Sequence, residues 1–485
     1  MRVPRAVLML VAPAILLGAF GAKPVPGEAR KETPVTHRTD WFRDARWGVF
    51  THYLTSKDTT AEDWNRRVNG FDVAALARQL ASVGTRYYVI TLGQNSGHYC
   101  TPNATYDRFV GTRPSLCAAR DLIADLYDAL HPKGIRLMVY LPAGAPNQDA
   151  AAMKALQWQN GAHRNLEFQR KWEAVIREWS LRWGPKVTGW WFDGCYWPDA
   201  MYRFSEPPNF ASFAQAARAG NPDAIVAFNP GVLNPIITMT ESEDYTAGEI
   251  NDPGAVECDG RWVGKAQFHM LSFLGPEWGR GPPRFTTAQI VRWTGDLIES
   301  GGVVTWDVPI EAGGAIPRPF IDQLQALRDG LAKPRAARPD LPAVPPGNLA
   351  SHKPARLLDV TGTKRLQVNS GTHHAALGVD GDPQTWAQAG GEWPWTYHVD
   401  LKAAHPVSRV VVTFAKDCYA TQYNVNLSAD GARWTTAAHA TGARGRRHEH
   451  AFAKTDARYV RIQALQPDGP NQPGAQMGVA ELEVY

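Results

Sequence analysis

Val187-Thr-Gly-Trp-Trp-Phe-Asp193-Gly194 is the stretch that most restricts what this chain can fold into. It is a short, mainly apolar run that ends abruptly in a carboxylate and a glycine. Strands buried in a parallel sheet have this texture. In a (β/α)8 barrel the C-terminal strand ends form the reactive face, so an acid there is a catalytic candidate. The same residues also suit a strand followed by an ordinary Asp-Gly turn.

The surrounding pattern favours the barrel. Between about residues 36 and 332, short apolar runs alternate with amphipathic stretches. The runs are Trp47–Phe50, Tyr87–Thr91, Ile135–Tyr140, Gly189–Phe192, Ala224–Phe228 and Gly302–Trp306. The amphipathic stretches include Asp72–Val83, Leu122–Leu130 and Asn165–Trp183. Such alternation predicts an α/β domain with a parallel sheet. A (β/α)8-type barrel fits the length, and a doubly wound open sheet is the rival. No G-x-G-x-x-G follows the first strand, which disfavours a dinucleotide-binding version.

Five prolines between Ala332 and Asn348 mark residues 333–347 as a linker. Residues 348–485 then change texture. Alternating runs such as Thr396–Leu401, Ser408–Phe414 and Tyr459–Ile462 are separated by Asp380-Gly and Asp430-Gly turns, which predicts an antiparallel β-sandwich.

A chain of 485 residues accommodates these two domains. The net charge of +4 is small and its basic residues are scattered, which argues against a nucleic-acid partner. Eighteen tryptophans exceed ordinary core needs and suit a carbohydrate-active protein. Arg2, Arg5, the apolar run Ala6–Phe20 and small residues up to Ala22 read as a signal peptide over 1–22, implying a secreted or periplasmic protein. No later segment is apolar enough to span a membrane, so no membrane insertion is expected. Of the five cysteines, Cys100 and Cys117 are spaced for a local disulfide that sequence leaves open.

Two families are resembled. Trp41-Phe-Arg-Asp-Ala-Arg-Trp-Gly-Val-Phe-Thr-His52, Tyr88-Val-Ile-Thr91, Trp191-Phe-Asp-Gly194 and the Glu299–Pro309 run resemble, in order, motifs of the α-L-fucosidases of glycoside hydrolase family 29. The resemblance implies that Asp193 is the nucleophile of a retaining glycosidase. There are departures. The family's two histidines after the second strand are replaced here by Gln94 and Asn95, with His98 further on, and Phe268-His-Met270 stands where many members have an acid. A barrel that keeps sugar affinity without turnover is therefore the alternative. The C-terminal segment resembles discoidin, or coagulation-factor type C, domains, also classed as carbohydrate-binding module family 32. It does so through Val379-Asp-Gly-Asp-Pro-Gln-Thr-Trp386, Leu427–Gly431, Ala457–Ile462 and Glu481–Tyr485.

Retaining hydrolysis needs two carboxyl groups about 5 to 5.5 Å apart, one ionised and one protonated. For the acid/base beside Asp193, Glu249 is preferred because it follows Gly248 in a loop-like context. Glu257, Glu241, Glu243 and Asp244 are the competitors. His52, Asn95, His98, Tyr140, Trp191 and His269 are candidate sugar contacts, each equally readable as packing. The glycan is the expected partner and no redox cofactor is needed. In the C-terminal domain Asp380, Asp382, Thr385 and Glu481 are candidate ligands of a structural calcium, which the discoidin resemblance implies and hard oxygen ligands suit. Trp393 and Trp395 are read either as sugar-facing loop residues or as core.

Overall fold

The computed structural model describes residues 37–256, 258–333, 346–366, 374–389, 394–416, 418–466 and 477–485. The expected signal peptide, most of the linker, Glu257 and Trp393 lie outside the described residues. Arg38–Tyr485 cluster as one compact unit.

The first part is a parallel sheet rolled toward a barrel. Its strands are β1 (Trp47–Thr51), β2 (Tyr87–Thr91), β3 (Arg136–Pro142), β4 (Val187–Asp193) and β5 (Ile225–Phe228). A small hairpin follows, β6 (Trp262–Val263) with β7 (Ala266–Gln267), then β8 (His269–Phe273) and β9 (Val303–Asp307). The sheet order is β5-β4-β3-β2-β1-β9-β8. All six anticipated strands are present, but β8 was not anticipated, although its residues HMLSF are all buried.

An eighth stave completes the cylinder. Residues 244–250 run alongside β8, with Thr246 N–H donating to Gln267 O at 3.0 Å, Leu271 N–H to Gly248 O at 2.8 Å and Ile250 N–H to Leu271 O at 2.9 Å. On the β5 side the backbone bond Asp244 N–H to Val226 O, 2.8 Å, joins the two at the base. Above it side chains span the seam. The Trp191 indole donates to Ala247 O at 3.0 Å and the Tyr245 hydroxyl to Trp190 O at 2.9 Å.

The strand period of two sorts side chains by face. Phe50, Val89, Met138, Tyr140, Trp191, Ile225, Ala227, Tyr245, Ala247, Leu271 and Val303 fill the barrel interior as one buried cluster. Val49, Ile90, Val139, Trp190, Phe192, Val226, Met270 and Trp306 face outward into the layer of helices. Helices there begin where polar caps allow. Asp72 accepts from Ala75 N–H ahead of helix Val73–Val83, and Asp121 from Ala124 N–H ahead of Leu122–Leu130. Helix Arg318–Ala332 is the last element before the linker.

Beyond the linker are β10 (Ala355–Asp359), β11 (Trp395–Phe414), β12 (Gln422–Ser428), β13 (Thr435–Ala440), β14 (Arg447–Gln466) and β15 (Val479–Val484). The long strands β11 and β14 pair antiparallel throughout, with register shifts between Asp400 and His405 and between Val407 and Arg409. Those irregularities divide β11, whose first half pairs with β10 and whose second half pairs with β15. The product is a β-sandwich with its own core. Trp395 is fully buried in that core and is not a sugar-facing loop residue.

Cys100 and Cys117, whose pairing the sequence leaves open, are not joined. Both residues are free, buried thiols, as is Cys195, and burial pushes the thiols of Cys100 and Cys117 upward. Cys100 Sγ instead points to Thr91 O at 3.6 Å. No helix among the described residues is long and apolar enough to cross a membrane.

Candidate active site

The inward-facing rows carry polar residues where they reach the C-terminal end of the barrel. Trp191 faces in, so Asp193 two residues later does too. The same period takes Phe50 to His52, Ala247 to Glu249 and Thr305 to Asp307. These side chains converge on a cavity of about 570 Å³, whose lining includes His52, Gln94, Tyr140, Trp191, Asp193 and Glu249.

Asp193 sits in a ring of donors. Its Oδ1 accepts from Gly194 N–H at 2.8 Å and from Asn229 Nδ2 at 2.8 Å, with the Tyr196 hydroxyl at 3.4 Å. Its Oδ2 accepts from the Tyr140 hydroxyl at 2.5 Å. Gln94 Nε2 in turn donates to that hydroxyl at 2.6 Å. Burial, then the Asp193 charge, keeps the Tyr140 phenol far above its usual range, so it stays a neutral donor.

Asn229 joins the two acids. The same Nδ2 that reaches Asp193 donates to Glu249 Oε2 at 2.6 Å. These two bonds limit the separation of the bonded carboxylate oxygens to about 5.4 Å. Asn229 is fully buried at the end of β5 and its amide is oriented by Gly231 N–H, which donates to its Oδ1 at 3.1 Å. Glu249 is pushed up to about 7, first by burial and then by the neighbouring Asp193 charge, against the Asn229 hydrogen bond and the nearby His52.

The competing acids have other work. Glu243 is buried and accepts from Met239, Thr240 and Phe228 N–H groups, so it braces the loop after β5. Asp244 pairs with Arg38 at 2.7 Å and with Arg218 at 2.5 Å. Glu241 is exposed and stands 3.1 Å from Lys265. Of these acids with Glu249, only Glu249 lines the cavity.

The expected sugar contacts divide. His52, Tyr140 and Trp191 line the cavity. His52 Nδ1 lies 2.9 Å from Asp307 Oδ1, which directs its Nε2 edge elsewhere, and Asp307 is fixed in turn by Gly279 N–H at 2.5 Å. Burial raises Asp307, and the His52 contact opposes it. Trp191 stacks on Tyr140 with ring centroids 5.3 Å apart.

His98, His269 and Asn95 are set apart from the cavity. His98 is turned back against the helix Ala61–Asn69 region, with its nitrogens 2.9 Å from Thr59 O and 3.3 Å from Ser96 Oγ. His269 faces the barrel interior but starts β8, so it belongs to the opposite end of its strand. Its nitrogens meet Thr246 O at 2.9 Å and Thr305 Oγ1 at 2.7 Å. Burial lowers it to about 4, which keeps it neutral. Asn95 is outside the cavity lining and its carbonyl accepts from Gln148 N–H at 2.9 Å. The ring nitrogens of His98 and His269 are thus engaged by the surrounding framework, and none of the three residues is in the cavity lining.

Sequence reasoning passed over Asn229, Asp307 and the choice of Gln94. Asn229 follows Ala224–Phe228 and Asp307 follows Gly302–Trp306, so each repeats the signal that marked Asp193: the first polar group after an apolar strand.

In the sandwich, Gly381 N–H donates to Glu481 Oε2 at 3.0 Å and the Thr385 hydroxyl to Asp380 Oδ2 at 2.8 Å. Asp382 N–H donates to Asp380 Oδ1 at 2.9 Å. Glu481 Oε1 is buried without a hydrogen-bond partner. Among the described residues no three His, Cys, Asp or Glu side chains are arranged to hold a metal ion.

No curated protein matches the chain significantly. Among solved structures, a protein assigned as an α-L-fucosidase from Bacteroides thetaiotaomicron is 13% identical, with 93% of this chain and 97% of that one covered and a TM-score of 0.48. A family 29 fucosidase from Ruminococcus gnavus, solved with fucose, is 12% identical, with 92% and 94% covered and a TM-score of 0.43. A chitosan-binding module from Paenibacillus sp. IK-5, solved with chitotriose, is 26% identical over 28% of this chain and 99% of its own, with a TM-score of 0.25. At such identities and scores, any role for this chain rests on its own residues. Residues 377–462 match a family model described as a NedA-like, galactose-binding domain of F5/8 type C.

Proposed function

We propose that the chain is a retaining glycoside hydrolase of the α-L-fucosidase type, exported and held near its glycan by the C-terminal module. The observation that carries this is the Asn229 amide between Asp193 and Glu249, with an oxygen separation of at most about 5.4 Å. That spacing suits direct attack by a carboxylate and leaves too little room for an intervening water.

Each acid suits one part. Asp193, ringed by hydrogen-bond donors, is the nucleophile. It attacks the anomeric carbon as the bond to the leaving oxygen breaks. Glu249, protonated up to near neutrality, gives that oxygen its proton. In the second half Glu249 takes a proton from water, whose oxygen displaces Asp193 from the sugar. Tyr140 and Asn229 hold Asp193 in place, and Trp191 and His52 form pocket walls.

The calcium expectation belongs to the same reading. The buried, unpartnered Glu481 Oε1 is the oxygen that supports it, although the described carboxylates around it do not stand as a three-ligand cluster. The ion would serve to brace the sandwich turn, away from the chemistry.

Hydrolysis of an aryl glycoside panel, led by aryl α-L-fucoside, tests the function. Turnover that Asp193→Ala abolishes without loss of fold supports it. If the folded wild type hydrolyses no member of the panel and no natural oligosaccharide while still binding glycans, the barrel is a sugar-binding protein instead.

A further inference from the structure

One charge in the cavity lacks a counter-charge. Glu277 and Arg280 stand 3.8 Å apart, Asp307 engages His52, and Asp193 and Glu249 share Asn229. Arg67 also lines the cavity, from the last turn of helix Ala61–Asn69. Its neighbour Asp63 is taken by Arg66. No carboxylate pairs with Arg67 among the described residues, and its Nε is buried without a partner.

The side chain is nevertheless held in place. Its guanidinium carbon lies 4.9 Å from the Tyr53 ring centroid and 5.8 Å from that of Trp64, and both rings are buried. Stacking of this kind fixes the plane of the fork; the neutral Tyr53 hydroxyl is within hydrogen-bonding reach of it, and Nε is left for a further partner. Tyr53 does not neutralise it, because burial raises that phenol to about 12. A half-buried guanidinium without an anion is costly, and a ligand that supplies paired oxygens relieves the cost.

We propose that Arg67 selects glycans carrying an anionic group, a sulfate ester or a uronate carboxylate, on the sugar that enters this cavity. The inference takes the ligand's being a glycan from the glycosidase reading. It does not need the chain to turn that glycan over.

The test is an array of neutral, sulfated and uronate-bearing glycans, probed with the full chain as Asp193→Asn and again with Arg67→Met or Arg67→Lys added. Methionine keeps the aliphatic stem on the rings and lysine keeps the charge without the fork. Arg67→Met should weaken a set of anionic glycans by about 10- to 100-fold, the range for hydrogen bonds to a charged group, and spare the neutral glycans held by the sandwich. Which spots fade, sulfated or uronate, identifies the group. Lysine should restore only part of the binding. The inference is overturned if Arg67→Met leaves the bound set unchanged, including when no pocket-dependent binding exists at all, or if neutral and anionic glycans fade together. Failure of the glycosidase reading shows separately, as absence of turnover in the wild type.

Discussion

Asp193 and Glu249 belong to different staves of the barrel, yet a single amide nitrogen of Asn229 hydrogen-bonds both, at 2.8 Å and 2.6 Å. One consequence is a division of labour that substitution can separate. On the proposed mechanism Asp193→Ala removes the attacking group, and it should lower kcat/KM by roughly 10⁴-fold or more. Azide added to this variant should restore turnover and yield a glycosyl azide of inverted configuration, seen by NMR. Unchanged hydrolysis in a correctly folded variant would sink the assignment.

On the proposed mechanism, Glu249 sets the basic limb of the pH profile. Its folded-state value of about 7 means that the proton it must donate is lost as pH rises through that point. kcat/KM should therefore fall on the alkaline side of about pH 7. Glu249→Gln should abolish that limb and cost about 10² to 10⁴-fold on substrates with poor leaving groups, and less on activated aryl glycosides.

Asn229→Ala tests the bridge. The Asn229 hydrogen bond favours the charged form of Glu249, so its loss should move the basic limb to higher pH. The rate should drop about 10- to 100-fold, in keeping with two charge-assisted bonds removed. A lower rate with an unmoved limb would assign Asn229 to packing alone.

Gly248 has a φ of +65°, and a Cβ there would lie 1.9 Å from His269 O. Gly248→Ala should force the stave away from β8 and destabilise the barrel by at least about 1–2 kcal/mol in urea unfolding. It should also reduce activity beyond what the stability loss explains, because Glu249 is the next residue.

Glu481 is raised to about 8 by burial first, with Asp380 adding to it. A carboxyl whose folded value exceeds its unfolded one binds more protons when folded, so its contribution weakens as pH rises from about 4.5 to 8. Calcium that engages Glu481 displaces that proton. Millimolar calcium should raise the Tm of the sandwich more at pH 8 than at pH 5, and Glu481→Gln should remove the effect. Equal Tm with calcium and with EGTA at pH 8 would argue for a turn without an ion.

The legible part of this molecule was the part written in periodicity. Six strands, three helices and Asp193 follow from apolar runs, caps and an acid at a strand end. The 244–250 stave is harder to read, because Asp244 and Gly248 interrupt it and its bonds run mostly to one neighbour. β8 mixes His269 and Ser272 with three apolar residues, which blurs its strand signal. His98 and His269 show the limit most clearly. Sequence places a histidine near a strand, but only the fold tells whether it is at the open end or whether backbone carbonyls already occupy its nitrogens. Asn229 needed no new signal, only the rule applied to Asp193 extended to uncharged side chains.

The seam between β5 and the stave is stitched above its base by side chains, with the Trp191 indole holding the Ala247 carbonyl two residues from Glu249. A worker who truncates Trp191 and sees activity vanish would blame a missing sugar platform. The loss could equally come from a proton donor that has drifted, and the two are told apart by whether affinity or rate suffers. In this barrel an aromatic wall doubles as the clasp that keeps the acid in register.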